Sequence, residues 1–146
     1  MLMGTPRGTV VFDLDGTLAD TSGDLIAAAN ATLKEIGIEN ALSPVGDKLT
    51  AFAGGRAMLR LGLQRGGFAE DENKVDELFY PFLDHYDEDI DVFTRLYDGA
   101  VEAVSDVKSL GYATAICTNK PENLAIKLMK KLNFFDVFDG LVGADT

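Results

Sequence analysis

Apolar positions fall into two kinds of run along this chain, and the change from one to the other predicts its layout. Residues 8–14 (GTVVFDL) are a β-branched and aromatic run that stops at the turn-forming Asp15-Gly16-Thr17, the pattern of a buried strand. Helical spacing follows. Leu25, Ala28, Ala29, Thr32, Leu33 and Ile36 recur at three- and four-residue steps, with Asp20, Thr21 or Ser22 available as a cap and Gly37 as a stop. Ser43-Pro44 opens a second, short helix that Gly54-Gly55 breaks; residues 57–64 form a third, ended by Gly66-Gly67. A fourth, over residues 71–90, gathers Val75, Leu78, Phe79, Phe82, Leu83 and Tyr86 on one face, with acidic residues opposite. Pro81 inside it removes a backbone donor and predicts a kink or two shorter helices.

From Tyr97-Asp98-Gly99 the pattern alternates. Ala103, Val104, Val107 and Leu110 mark a helix ended by Gly111; residues 112–117 read as a strand; Pro121 starts a helix with Leu124, Leu128 and Leu132 inward; residues 137–142 read as a strand. Strand, helix, strand at that spacing is a parallel α/β arrangement. The first strand belongs to that sheet, yet its neighbours in the sequence are helices. Insertion is the simplest layout: residues 20–92 form a helical cap, and residues 1–19 with 93–146 form an α/β core. Two connections near Ala19 and Phe93 are then able to act as hinges.

Composition narrows the partners. With 146 residues, of which 47% are hydrophobic and 25% charged, the chain can bury a core of its own. Its formal charge of −11 is local, since residues 70–91 hold ten of the 24 acidic residues and one of the 13 basic ones. That stripe reads as a solvated helix face, and the lack of a basic counterpart argues against nucleic acid or an anionic membrane as partner. The N-terminus has too short an apolar stretch for a signal peptide, and no run is long enough to span a membrane. The single Cys117 excludes an intrachain disulfide and favours a reducing compartment, so a cytoplasmic protein is expected. With no histidine beside it, Cys117 reads as a core residue, and His85, among acids on the polar face, does not read as a ligand.

Chemistry concentrates in VVFDLDGT. Asp13 and Asp15 stand two apart at the end of a strand, so both project to one side while Leu14 points the other way. In a parallel sheet that edge is where ligands bind, and Gly16 lets the chain turn sharply there. Two carboxylates at one mouth suit nucleophilic attack by one, with the other as general acid and then base. An EF-hand loop also starts with acidic residues at alternate positions, but here the glycine falls at position four rather than six and a strand precedes it. A second element, AICTNKP, ends the next core strand. Thr118 supplies a hydroxyl at the same edge, and the turn before Pro121 can offer helix-start N–H groups to an anion, which together read as a phosphate cradle.

DLDGT after VVF, a helical insertion, and a strand ending in CTNKP together resemble the haloacid dehalogenase-like hydrolase superfamily, in particular its phosphoglycolate phosphatase branch. The resemblance spans essentially the whole chain. It implies an α/β fold with a parallel, Rossmann-like core sheet and an inserted α-helical cap. By that similarity Asp13 is the nucleophile that forms an aspartyl-phosphate, Asp15 protonates the leaving alkoxide and then activates water, and Thr118 with the Asn119 backbone binds the phosphoryl group. The dehalogenase and phosphonatase branches lack an aspartate at position 15, which favours phosphoryl transfer. Mg²⁺ is implied, held by the Asp13 carboxylate and the Asp15 carbonyl, and a cation also fits the physics: it offsets repulsion between a carboxylate and a phosphate dianion. Arg56, after two glycines in the cap, and Lys120 are candidates for gripping the substrate's anionic groups.

The expected reaction is magnesium-dependent hydrolysis of a small phosphomonoester such as phosphoglycolate. A β-phosphoglucomutase-like transfer enzyme and a non-catalytic fragment are the alternatives. Family members carry a further lysine and further acidic metal ligands after the third core strand, and no Lys or Arg follows Lys131 here. The expectation is therefore a core that lacks its C-terminal strands, is weakly active as written, and leaves the Val10-Val11-Phe12 strand at an exposed edge.

Overall fold

The computed structural model describes residues 4–146 and divides them into two compact units. The first comprises the chain up to Asp20 together with Arg95–Thr146; the second is Thr21–Thr94.

In the first unit, β1 (Thr9–Phe12), β4 (Ala113–Cys117) and β5 (Gly140–Val142) form a parallel sheet in the order β1-β4-β5. Phe12 lies opposite Ile116, and Ile116 opposite Leu141. Helices α5 (Ala100–Ser109) and α6 (Glu122–Lys131) make the connections and pack on β4 and β5 respectively. This is the parallel α/β core that the alternating pattern predicts. Strand alternation decides which side chains are buried: Thr114 and Ile116 are fully covered, while Val11 and Val142 on the other face are half exposed. Cys117 shares the parity of Ala113 and Ala115 and is exposed, so the reading of it as core is corrected. Among the described residues β1 has β4 as its one sheet neighbour, which leaves it at an edge, as expected. A two-residue antiparallel ribbon, β2 (Ala19–Asp20) with β3 (Arg95–Leu96), joins the points where the chain leaves and re-enters this unit.

The second unit is helical: α1 (Ser22–Lys34), α2 (Lys48–Phe52), α3 (Gly55–Arg65) and α4 (Glu72–Glu88). Helix α1 packs against all three others, burying Leu25, Ile26, Ala29 and Leu33. Helix α4 is a single helix, so of the two expectations at Pro81 the split into two shorter helices is not met. It continues through Pro81, and Glu77, whose carbonyl loses its helical donor there, is an exposed residue. Its buried face is the predicted one, with Phe82 and Tyr86 stacked at 6.2 Å between ring centres. Helix α2 begins at Lys48 rather than at Pro44, since residues 43–47 close on themselves. The Ser43 N–H donates to Asp47 Oδ2 at 2.6 Å, the Asp47 N–H returns to the Ser43 carbonyl, and Arg65 clamps both Asp47 oxygens.

One staple is unannounced by periodicity. Asp24, in the first turn of α1, is buried and accepts the N–H groups of Phe93 and Thr94 and the Thr94 hydroxyl, tying the last residues of the unit to its first helix. No described helix is long and apolar enough to cross a membrane.

Candidate active site

Two aspartates leave the end of β1 in a turn that its own backbone closes. The Leu14 carbonyl accepts N–H groups from Thr17, Leu18 and Ala19, the Gly16 N–H donates to the Ala19 carbonyl, and Gly16 takes a φ of 78° that a side chain disfavours. Leu14 is completely buried and anchors the turn, whereas Asp13 is exposed at the mouth and Asp15 is partly covered. The Leu14 N–H donates to Asp13 Oδ1 at 2.7 Å, which orients the carboxylate.

The loop after β4 reaches the same place. Thr118 is buried; its N–H donates to the Val142 carbonyl at 2.9 Å, and its Oγ1 accepts the Lys120 N–H at 3.2 Å, so the hydroxyl proton can be directed to a further acceptor. Asn119 is exposed in the turn. Lys120 is not a surface lysine: its side chain is 4% exposed, and its Nζ lies 3.1 Å from Asp15 Oδ1. This ion pair is direct evidence that the loops after β1 and β4 converge at the C-terminal edge of the sheet.

The sequence misses Asp145. Its Oδ1 accepts the Glu122 N–H at 2.8 Å and so occupies a donor at the start of α6 that could have faced an anion. The Ala144 N–H donates to the Lys120 carbonyl, and a Cβ on Gly143 would lie 2.6 Å from the Glu122 nitrogen, so the chain after β5 packs tightly under the Thr118–Lys120 loop. Of the donors expected to form a phosphate cradle, the Glu122 N–H is therefore taken by Asp145. An Asp a few residues past a strand end gives no periodic signal.

Arg56 belongs to the helical unit. It ion-pairs with Asp76 and lies 4.2 Å over the centre of the Phe79 ring, with its side chain still 43% exposed. Gly55 lets α3 start against α4, because a Cβ there would come within 2.4 Å of the Phe82 ring. His85 contacts the Glu35 carboxylate. Among the described residues no three His, Cys, Asp or Glu side chains gather as a ready metal cage. Oxygen donors at Asp13 and in the Asp15 backbone nonetheless suit Mg²⁺, which keeps several waters and binds through one or two carboxylates plus substrate phosphate.

Known proteins resemble this chain in sequence and in fold. The family model for haloacid dehalogenase-like hydrolases matches residues 8–146. Phosphoglycolate phosphatase of Mesorhizobium japonicum is 36% identical over 140 residues, which is 96% of this chain and 61% of that protein. The Agrobacterium fabrum phosphoglycolate phosphatase is 34% identical, over 93% of this chain and 58% of that protein. Among solved structures, a haloacid dehalogenase-like family hydrolase from Streptococcus pneumoniae superposes with a TM-score of 0.69 at 25% identity, covering 92% of this chain and 60% of that one. The chain therefore spans about 60% of the length of the relatives it matches.

Proposed function

Because this chain belongs to the haloacid dehalogenase-like hydrolases, we propose that it carries the nucleophile and proton-transfer groups of a magnesium-dependent phosphomonoester hydrolase. Its substrate is a small phosphorylated metabolite of the phosphoglycolate kind. The observation that carries this reading is the turn at the end of β1, which presents the Asp13 carboxylate outward with Asp15 two residues on and the buried Thr118 hydroxyl in the loop after the adjacent strand. Residues up to 20 and from 95 act as the catalytic core, and residues 21–94 act as the cap. Phosphoglycolate as substrate and hydrolysis rather than mutase transfer are favoured by the relatives' names at 34–36% identity.

In this mechanism Asp13 Oδ2 attacks phosphorus and the bond to the leaving oxygen breaks, while Asp15 gives that oxygen its proton. A water then attacks the aspartyl-phosphate and Asp15 takes the proton back, releasing inorganic phosphate. Thr118 donates its hydroxyl proton to a phosphoryl oxygen, and the Asn119 N–H supplies a second donor. The Asp13 carboxylate and Asp15 carbonyl would hold Mg²⁺, whose contribution is to neutralise charge on the transferring phosphoryl group. Arg56, freed from Asp76, would bind the remote anionic group of the substrate. A lone cysteine in the sequence supports a cytoplasmic setting.

The test is Asp13→Asn in the full-length protein. Phosphate release and acid-stable phosphoenzyme should both vanish, because the amide is nearly isosteric but cannot attack. Beryllofluoride trapping that locates the phosphoryl site on another residue would refute the assignment, and phosphate release that needs a bisphosphate activator would favour the mutase.

A further inference from the structure

We infer that Lys120 is a positioning residue for Asp15, holding the proton-transfer carboxylate in place rather than gripping substrate. The inference rests on the proposed role of Asp15 and adds a residue to it.

The geometry is specific. The Lys120 ammonium lies 3.1 Å from Asp15 Oδ1, with the lysine side chain 4% and the aspartate side chain 15% exposed. A lysine so buried is rare unless it is paired. Both ends of the contact are anchored. The Asp15 backbone sits in the turn closed on the Leu14 and Ala19 carbonyls, and an isolated bridge joins Asp15 to Ala19. The Lys120 backbone is held from two sides: its N–H donates to Thr118 Oγ1, and its carbonyl accepts the Ala144 N–H.

What the anchored backbones do not fix is the direction of the Asp15 carboxylate. An aspartate has two side-chain torsions, and the second is broad. Asp15 must face the leaving oxygen in one half-reaction and a water in the other, and an error of about 1 Å in such a group costs about 100-fold in rate. A rigidly mounted ammonium on Oδ1 removes that freedom. Lysine has three donors and no acceptor, so it can orient the carboxylate without competing for the transferred proton. At 4% exposure the lysine side chain also has little surface to offer a substrate.

Lys120→Met keeps the length and apolar bulk of the side chain and removes the charge. In the full-length protein, kcat with phosphoglycolate should fall about 100-fold while KM stays within about threefold of wild type. With para-nitrophenyl phosphate, whose leaving group needs no proton, Asp13 should still be phosphorylated in a burst. Acid-quenched phosphoenzyme should then accumulate above the wild-type level, since water activation has become the slow step. A raised KM for phosphoglycolate with unchanged kcat and unchanged phosphoenzyme would overturn the inference and make Lys120 a substrate ligand.

A second measurement does not depend on turnover. In the 146-residue chain, thermal unfolding of Lys120→Met, Asp15→Asn and the double variant should be non-additive, the second substitution lowering Tm by less than it does alone. Additive shifts would mean that the two groups do not act together. Normal turnover by Asp15→Asn would sink the Asp15 reading and this inference with it. Impaired Asp15→Asn beside unimpaired Lys120→Met would sink the positioning role alone.

Discussion

Replacing Asp24 by alanine should destabilise the helical unit far more than a change at an ordinary helix N-terminus. Asp24 is 2% exposed and serves as acceptor for four contacts: the Phe93 N–H at 3.1 and 3.0 Å to its two oxygens, the Thr94 N–H at 2.9 Å and the Thr94 hydroxyl at 2.7 Å. Alanine leaves the Phe93 and Thr94 N–H groups without this acceptor. Phe93 is 62% exposed, whereas Thr94 is 5% exposed; its hydroxyl keeps a second acceptor in the Ile90 carbonyl at 3.5 Å, so the Thr94 N–H is the buried donor that loses its partner. Each unsatisfied buried donor costs about 1–3 kcal/mol, and losing the acidic residue in the first turn of α1 adds about 0.3–1 kcal/mol. With one such donor the total is about 1–4 kcal/mol, which for a chain of this size lowers Tm by about 4–12 °C. Asp24→Asn retains one acceptor oxygen and should fall between alanine and wild type. Circular dichroism melts measure the loss, and amide hydrogen exchange localises it: protection at Phe93 and Thr94 should collapse in Asp24→Ala. A loss under about 1 kcal/mol, or unchanged protection at those two amides, would refute the claim that this carboxylate holds the exit of the unit.

Arg56→Ala should lower kcat/KM for a carboxylated phosphomonoester by about 2–4 kcal/mol in transition-state terms and spare an aryl phosphate; equal losses on both would indicate damage to the fold of α3 against Phe79. Acid should destabilise the protein through two further carboxylates. The Arg65 guanidinium, then the Ser43 N–H, hold Asp47 below its ordinary value, and the Thr114 N–H, then Lys108, do the same for Asp139. A carboxyl whose folded value is depressed contributes stability in full above its unfolded value, near 3.8, and loses that contribution as pH falls through the lower folded value. Urea midpoints measured as pH is lowered from 5 should drop steeply only below about 4, and Asp47→Asn should flatten part of that drop. An unchanged slope would mean that the Arg65 clamp does not persist in solution.

The elements legible in the sequence are those whose cause is local. The β1 run, the Gly16 turn, the apolar stripe of α4 and the strand–helix–strand alternation from Tyr97 onward each need only neighbouring residues to specify them, and the structure has all four. The family assignment followed from two short motifs because the chemistry forces their residues to strand ends. Boundaries differ where side chains intervene: Asp47 and Arg65 hold residues 43–47 out of α2, while α4 continues as one helix through Pro81. Lys120 shows the same limit at the site. A lysine one residue past Asn119 reads identically whether it faces solvent, substrate or Asp15, and only the pairing of β1 beside β4 decides among them. Asp145 and Asp24 were illegible for a related reason, since each bonds to backbone far from it in sequence.

The same bonds explain how an insertion of more than seventy residues can sit a few residues downstream of Asp13 and Asp15 without unsettling them. A ribbon of two residues per strand, as in β2–β3, is marginal by itself. The insertion instead closes its own ends, with Asp24 drawing Phe93 and Thr94 onto α1. On the other side of the crossing, the Leu14 carbonyl collects three N–H groups and the Gly16 N–H returns to Ala19, so the aspartate turn is complete before the chain reaches Asp20. Each unit satisfies its polar groups up to the crossing point. The Asp13 carboxylate and the contact of Asp15 with Lys120 are then held by bonds within the first unit, among residues 13–19 and 118–120.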